Sequence, residues 1–320
     1  MIEYITIFIL SCIVLVWAGG RTVKSLSRIS RILGWREFIV ASLVMALGSS
    51  LPELFVAITA SISKKPQLSV GNVLGSNIVA LTLVIAIGTF LAGSLKFEKR
   101  IIQKSTVFAS LYILLPLLLM MDRNLSRIDG VILIAALLLY VRELVIQQKR
   151  FSKPFNHLEL SYSQKIKTFL KEVGIFFASL FLLLLSSEGI VFSAASIASG
   201  SNITLIVIGI LGIALGTSLP EITFAFRSIK MGYKEMILGD AMGSVVMNSG
   251  LILGLTALIS PFEIQKFPLY LNGIIFSAIV AIFFYIFART KNEITKKEAL
   301  VLLFIYLLFF TIEFLMEAYN

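Results

Sequence analysis

The sequence predicts an all-α membrane protein: ten transmembrane helices in a 5+5 inverted-topology repeat, with both termini outside. Three observations predict it. The 320-residue chain is 58% hydrophobic and only 14% charged, whereas a soluble domain is about 45–50% apolar and about 25% charged. Its apolar runs reach the roughly 20 residues that cross a bilayer. One six-residue pattern also occurs twice, as Gly48-Ser49-Ser50-Leu51-Pro52-Glu53 and as Gly216-Thr217-Ser218-Leu219-Pro220-Glu221, 168 residues apart.

The spans are expected at roughly 2–20, 37–62, 68–93, 105–121, 128–146, 173–193, 203–226, 235–259, 268–288 and 299–318. The first begins with Glu3, and its basic residues follow the apolar run. That is the reverse of a signal peptide, so it reads as a retained helix. The fourth is short, and Pro116 makes its ends uncertain. A Lys-rich polar connection, 147–172, reads as a solvated cytoplasmic tether. It separates a first five-helix repeat, 1–146, from a second, 173–320.

Orientation follows from the basic residues. With the N-terminus outside, only Lys64, Lys65, Arg123, Arg127 and Lys266 of the 28 Lys and Arg residues fall on the outer side. The other 23 lie inside, as the positive-inside rule requires. One missed span would invert every later loop, so the split also supports the span count. The second span then runs inside to outside and the seventh outside to inside. The two copies of the pattern enter the membrane from opposite faces. The repeat extends further: Gly71-Asn72-Val73-Leu74-Gly75-Ser76 matches Gly239-Asp240-Ala241-Met242-Gly243-Ser244, and in both halves the serine follows the glutamate by 23 residues.

A carboxylate at membrane depth is expensive, and its default reading is functional. Pro52 and Pro220 lack the N–H that would bond the carbonyls of Gly48 and Gly216. Each break therefore offers a backbone oxygen about one turn before Glu53 or Glu221. Ser49, Ser50, Thr217 and Ser218 add hydroxyls on the same turns, and Ser76, Ser244 and Asn248 add oxygens from the partner spans. The GxxxG spacing at Gly71/Gly75 and Gly239/Gly243 lets helices approach closely enough to share a site. The site would hold oxygens only, which suits Ca²⁺, Na⁺ or protons and disfavours Zn, Cu and Fe. For any single hydroxyl, back-bonding to the preceding turn is an equal alternative. A structural, protonated glutamate is the bland reading of Glu53 and Glu221, and the duplicated context argues against it.

These doubled strings resemble the α-repeats of the cation/calcium exchanger superfamily, and the G-[ST]-S-L-P-E form resembles its sodium/calcium exchanger branch, of prokaryotic type. The resemblance covers both motif pairs, the ten-span layout and the central linker. It implies an antiporter of the cell membrane that exports Ca²⁺ in exchange for Na⁺ by alternating access. It further implies Glu53 and Glu221 as shared ligands, Ser49/Thr217 and Ser76/Ser244 as flanking ligands, and spans one and six sliding as a gating pair. Two departures stand out. The family's Asn after Ser76 by four residues is Ala80 here, and the matching Asp is Asn248. Asp240 replaces a family Asn, which suggests that it restores part of the lost charge; a helix cap is an equal reading. The lost ligands make Ca²⁺/H⁺ exchange the alternative.

Other classes fare worse. Cys12 is the only cysteine and His157 the only histidine, so intrachain disulfides, thiolate clusters, His-based metal sites and Ser-His-Asp triads are excluded. The net charge of +10 is explained by topology, so no nucleic-acid partner is expected. An intramembrane aspartyl protease needs a second aspartate beside Asp240, and Asp122 and Asp129 lie in an outer loop. A channel usually gathers identical subunits, whereas an internal inverted repeat suits a carrier. No cofactor is expected beyond the transported ions, and the partners are inorganic cations and the lipid bilayer, with the chain acting as a monomer.

Overall fold

The computed structural model describes residues 1–33, 50–96, 101–148, 162–201, 203–230, 234–290 and 293–318. The first half holds α1 (Ile2–Ile32), α2 (Leu51–Ile62), α3 (Pro66–Val79) and α4 (Ile85–Ala92). A π turn at Ala80–Val84 joins α3 to α4 without a break. α5 (Ile101–Leu119, with Pro116 inside it) and α6 (Arg127–Gln148) follow. The second half opens with α7 (Tyr162–Ser201). The next run is segmented: α8 (Leu205–Val207), a π turn at Ile208–Ile213, α9 (Ala214–Thr217) and, past a bend at Ser218, α10 (Leu219–Lys230). α11 (Glu235–Met247), a π turn at Asn248–Ile252, α12 (Leu253–Ile259), α13 (Phe267–Thr290) and α14 (Lys296–Ala318) complete it.

A helix overlaps every expected span, and seven of the described helical runs are long and apolar enough to cross a membrane. The repeat is visible in the backbone. α2 and α10, the π turns at Ala80 and Asn248, and the starts of α4 and α12 are each offset by 168 residues.

α1 and α7 run longer than their apolar stretches. α1 continues past residue 20 to Ile32, and α7 starts at Tyr162 instead of 173. The expected tether 147–172 is therefore partly helical; its residues 149–161 lie outside the described set. The extensions hold because the two helices pack antiparallel along their length. Arg28 Nη1 meets Glu172 Oε1 at 2.5 Å, Thr22 Oγ1 donates to Ser179 Oγ at 2.9 Å, and Tyr4 meets Phe192 edge to face. Glu172 is buried, whereas Arg28 is exposed. Arg28→Leu alone should therefore cost about 1–3 kcal/mol, the penalty for a buried group left without its partner. Adding Glu172→Leu should recover most of it. Melting curves of the purified protein check both; an equal loss in the single and double variants would overturn this account.

The helices sort by burial. In the Pro66–Ala92 run, 83% of the apolar window is buried, against 22% in α1. α3 and α4 are thus central, and α1 presents Ile5, Ile9, Ile13 and Trp17 outward, as a lipid-facing helix does. The centre is tight. A Cβ on Gly71 would lie 2.4 Å from the Ile206 carbonyl oxygen, and one on Gly75 would lie 2.3 Å from that of Ile210. Only glycine lets α3 lie against the segmented run this closely.

Two short ribbons bind the halves together. β1 (Ser94–Lys96) pairs antiparallel with β4 (Glu293–Thr295), and β2 (Asn124–Leu125) pairs with β3 (Phe262–Glu263). Each ribbon joins a loop of the first half to a loop of the second, so each pair of loops lies on one face of the molecule. Lys234 Nζ, which donates to the Ala92 carbonyl at 2.7 Å, ties a further second-half turn near β1. At the end where β2 and β3 pair, the Ile264 N–H donates to the Arg123 carbonyl at 2.8 Å.

Candidate functional site

Glu53 and Glu221 each occupy the first turn of a helix that begins just after a bend. The bends match: Ser50 has φ −88° and ψ 5°, and Ser218 has φ −84° and ψ 2°. Pro52 sits in the first turn of α2, where its missing N–H costs nothing, and Pro220 holds the same place in α10. The proline thus starts a new helix instead of kinking a continuous one. Each carboxylate lies at a helix N-terminus, where the backbone dipole favours negative charge. Glu53 is 1% exposed and Glu221 3%.

Central α3 supplies the opposite wall. Asn72 Oδ1 accepts from Thr217 Oγ1 at 3.0 Å and from Ser76 Oγ at 3.2 Å. Ser76 and Thr217 hydroxyls are 3.4 Å apart. Thr217 also lies beside Glu53, and Ser244 beside Glu221. At the start of the second-half π turn, Asn248 Nδ2 donates to Asn77 Oδ1 at 3.2 Å, and Asn77 Nδ2 donates to Ser249 Oγ at 2.9 Å. Residues far apart in sequence and drawn from both halves therefore meet in one polar cluster inside an apolar core.

Several atoms of this cluster have no hydrogen-bond partner although they are buried: Glu53 Oε1 and Oε2, Glu221 Oε2, Ser50 Oγ and Asn248 Oδ1. All five are oxygens with lone pairs to offer. Asn72 Nδ2 is also unpartnered; its other partners are hydroxyls, which donate or accept equally, so turning the amide over would present its oxygen instead. A buried charge without compensation costs several kcal/mol. A hard cation satisfies such oxygens, and the donor set fits Ca²⁺ or Na⁺ chemistry. Among the described residues no three or more His, Cys, Asp and Glu side chains stand together as a metal cluster. The site thus combines carboxylates with neutral oxygens.

The sequence-predicted residues fare differently. Glu53, Glu221, Ser50, Thr217, Ser76, Ser244 and Asn248 are all buried at or next to this cluster. Ser218 is buried at its bend; its N–H bonds the Ala214 carbonyl at 3.1 Å and also faces the Gly216 carbonyl, which limits the latter as a free ligand. Gly48 and Ser49 lie outside the described residues. Asp240 is half-buried, in the wall of a cleft of about 360 Å³ that reaches from Arg21, Lys24 and Arg227 to Pro52 and Pro220. It is near enough to act electrostatically on both glutamates, yet stands apart from a metal-type cluster with them. Ala80, at the place matching Asn248, is buried and offers no side-chain oxygen.

Two features were not assigned from sequence. Asn72 lies inside the doubled motif and Asn77 directly after it, so their spacing to Ser76 was the available signal. Glu313, fully buried in the last apolar run, accepts from Asn272 Nδ2 at 2.5 Å. Its neighbour Glu317 accepts from the backbone N–H and hydroxyl of Thr204, at the start of α8. A carboxylate deep in an apolar run was the signal here too, but without a duplicated string to mark it.

The sodium/calcium exchanger protein family matches residues 3–144 and 171–315. The chain is 32% identical to CaxA of Alkalimonas amylolytica over 261 residues, which cover 80% of this chain and 81% of CaxA. It is 27% identical to the sodium/calcium exchanger MaX1 of Methanosarcina acetivorans, with 96% and 97% of the two chains covered. The solved structure of the sodium-calcium exchanger NCX_Mj soaked with 100 mM Na⁺ and 10 mM Sr²⁺ matches with a TM-score of 0.67, at 25% identity over 96% of this chain and 97% of NCX_Mj. The family match, the exchanger relatives and the long apolar helices define a multi-pass membrane transport protein, not an enzyme. The chain belongs to the sodium/calcium exchanger protein family.

Proposed function

We propose that this protein is a secondary antiporter of the cell membrane that exports Ca²⁺ in exchange for Na⁺, by alternating access at a site shared by Glu53 and Glu221. The observation that carries the reading is the set of unpartnered buried oxygens contributed by both halves of the chain. Ions that need the same two carboxylates compete for them. A site without a cation is costly to move through a low-dielectric interior, so the return of the emptied site waits on binding of the next ion. Ser50, Thr217, Ser76, Ser244 and Asn248 supply neutral oxygens around the two carboxylates, and the sequence motif adds Gly48, Ser49, Gly216 and Ser218 as further candidates. Asp240 meets a passing cation in the cleft.

The ten-span inverted repeat with both termini outside belongs to the same reading. Its support is that charge counting and strand pairing agree. The loops joined by β1 and β4 are both assigned inside, and those joined by β2 and β3 both outside. The antiparallel α1–α7 pair, repeat mates in sequence, supports it as well. The chain works alone, with cations and lipid as its partners.

Proton-coupled exchange is the second reading. One observation favours it: Ala80 gives no oxygen and Asn77 Oδ1 already accepts from Asn248, which thins the ligands available to several Na⁺. Calcium uptake into proteoliposomes, with the Na⁺ and pH gradients imposed separately, tests both. Uptake driven by internal Na⁺ is expected. Uptake that follows only the pH gradient would replace Na⁺ by H⁺ as the coupling ion, and no uptake under either gradient would overturn the antiport reading.

A further inference from the structure

We infer that Glu313 and Glu317 form a proton-binding site near the C-terminal end of α14, separate from Glu53 and Glu221, and that its proton tunes exchange; the effect on exchange rests on the antiport reading above. Glu313 is fully buried. Its Oε2 accepts from Asn272 Nδ2 of α13 at 2.5 Å, and its Oε1 has no hydrogen-bond partner. Glu317 follows four residues later, one helical turn along α14, and its charge acts on Glu313. Among the described residues neither carboxylate pairs with a Lys or Arg. Two carboxylates one turn apart in apolar surroundings resist ionising together, so the pair retains a proton.

The donors decide which member holds it. Glu317 is half-buried, and its carboxylate accepts from the backbone N–H of Thr204 and, at 3.0 Å, from the Thr204 hydroxyl. It is satisfied as an anion. Glu313 has one amide donor for its two oxygens and is the neutral member. The oxygens also decide the ion. Ca²⁺ gathers about 6–8 of them, whereas this pair leaves one without a partner, Glu313 Oε1. One oxygen suffices for a proton. The step is a proton transfer alone: Glu313 Oε1 gains an O–H bond and water loses one. Glu317, nearer the chain end and partly exposed, is the way in, from the outer side in the topology proposed above.

Thr204 links this site to the exchange run. It opens α8, and the run continues through the π turn at Ile208–Ile213 to Thr217 and the bend before Glu221. The other groups facing the pair are neutral: α13 presents the Asn272 amide and α8 the Thr204 hydroxyl. With Glu313 neutral, Glu317 holds Thr204 unopposed. Loss of the proton sets a second negative charge beside Glu317 and loosens that hold, and with it the placing of Thr217 and Glu221.

Infrared spectra of the full-length Glu53→Gln/Glu221→Gln protein, which lacks the two central carboxylates, test the site. A protonated-carboxyl band is expected that fades as pH is raised, and adding Glu313→Gln removes it. Adding Glu317→Gln instead shifts the fading to lower pH, because the like charge that favours the proton is gone. Absence of the band, its survival in Glu313→Gln, or a fading unmoved by Glu317→Gln would overturn the paired proton site, whether or not the protein transports. The effect on exchange is read from the pH profile of Na⁺-driven Ca²⁺ uptake into proteoliposomes, with Glu53 and Glu221 intact. The parent is expected to lose rate where the band fades, and Glu313→Gln to keep it. Coincident profiles would overturn the link to exchange. No uptake by the parent under any gradient would overturn the antiport reading and that link with it, while the infrared result still decides the proton site.

Discussion

Glu53→Gln and Glu221→Gln each reduce calcium exchange by about 100-fold or more. Removing one partner of a buried ionic contact costs roughly 3–5 kcal/mol, and both carboxylates serve the same cation. The double variant is no worse than either single one, because the two residues act as a unit. Stability moves the other way. Glu53 has two buried oxygens without donors and Glu221 has one, so without cations the neutral amides leave the melting temperature unchanged or higher. Calcium separates the proteins further. At 100 times its Kd a bound ion adds about 2.7 kcal/mol to the native state. The parent gains that protection and the variants lose it. Melting curves with and without Ca²⁺, beside uptake, read both effects. Near-parental uptake by either variant, or a parent indifferent to Ca²⁺, would remove the glutamates from the site.

Gly75→Val prevents assembly of the native helix packing. A Cβ at this position meets the Ile210 carbonyl oxygen at 2.3 Å and the Ala214 Cβ at 2.5 Å. Both belong to the run that carries Thr217, so yielding means moving backbone. Gly75→Ala already overpacks the contact and costs about 1–3 kcal/mol. Gly174→Ala is the control: no atom lies within 4 Å of its Cβ, and Ala in a helix interior gains about 0.5–1 kcal/mol over Gly. Yield of folded protein on size exclusion and its melting temperature measure the contrast. Equal behaviour of the alanine variants at 75 and 174 would refute close packing as the reason for Gly75.

Much of this was legible because the sequence repeats itself. The doubled Pro-Glu string located both bends, and structure gives them nearly the same backbone angles. Hydropathy located the helices, since membrane depth leaves little choice of residue. It misjudged the ends of α1 and α7, because Arg21 and Glu172 stop an apolar count without stopping a helix that has a partner to pack on. The carboxylates were legible for their cost alone. The amide network was less so. Asn72, Asn77 and Asn248 look alike as isolated letters, and their hydrogen bonds depend on how α3 and α11 face each other. Glu313 shows the same limit: its depth was visible, but its partner Asn272 lies 41 residues away on another helix.

The two ribbons carry a mechanical consequence. β1–β4 clasps the halves at one end and β2–β3 clasps them at the other. A body fastened at both ends resists hinging about its middle. Neither α1 nor α7 carries a strand of either clasp, and these two helices are tied to each other along their length. They are joined to the rest through α2, by the Thr59 and Ser187 hydroxyls at 2.7 Å and a shared apolar cluster. Strain put on either clasp is thus passed to both halves at once, with Glu53 and Glu221 between them.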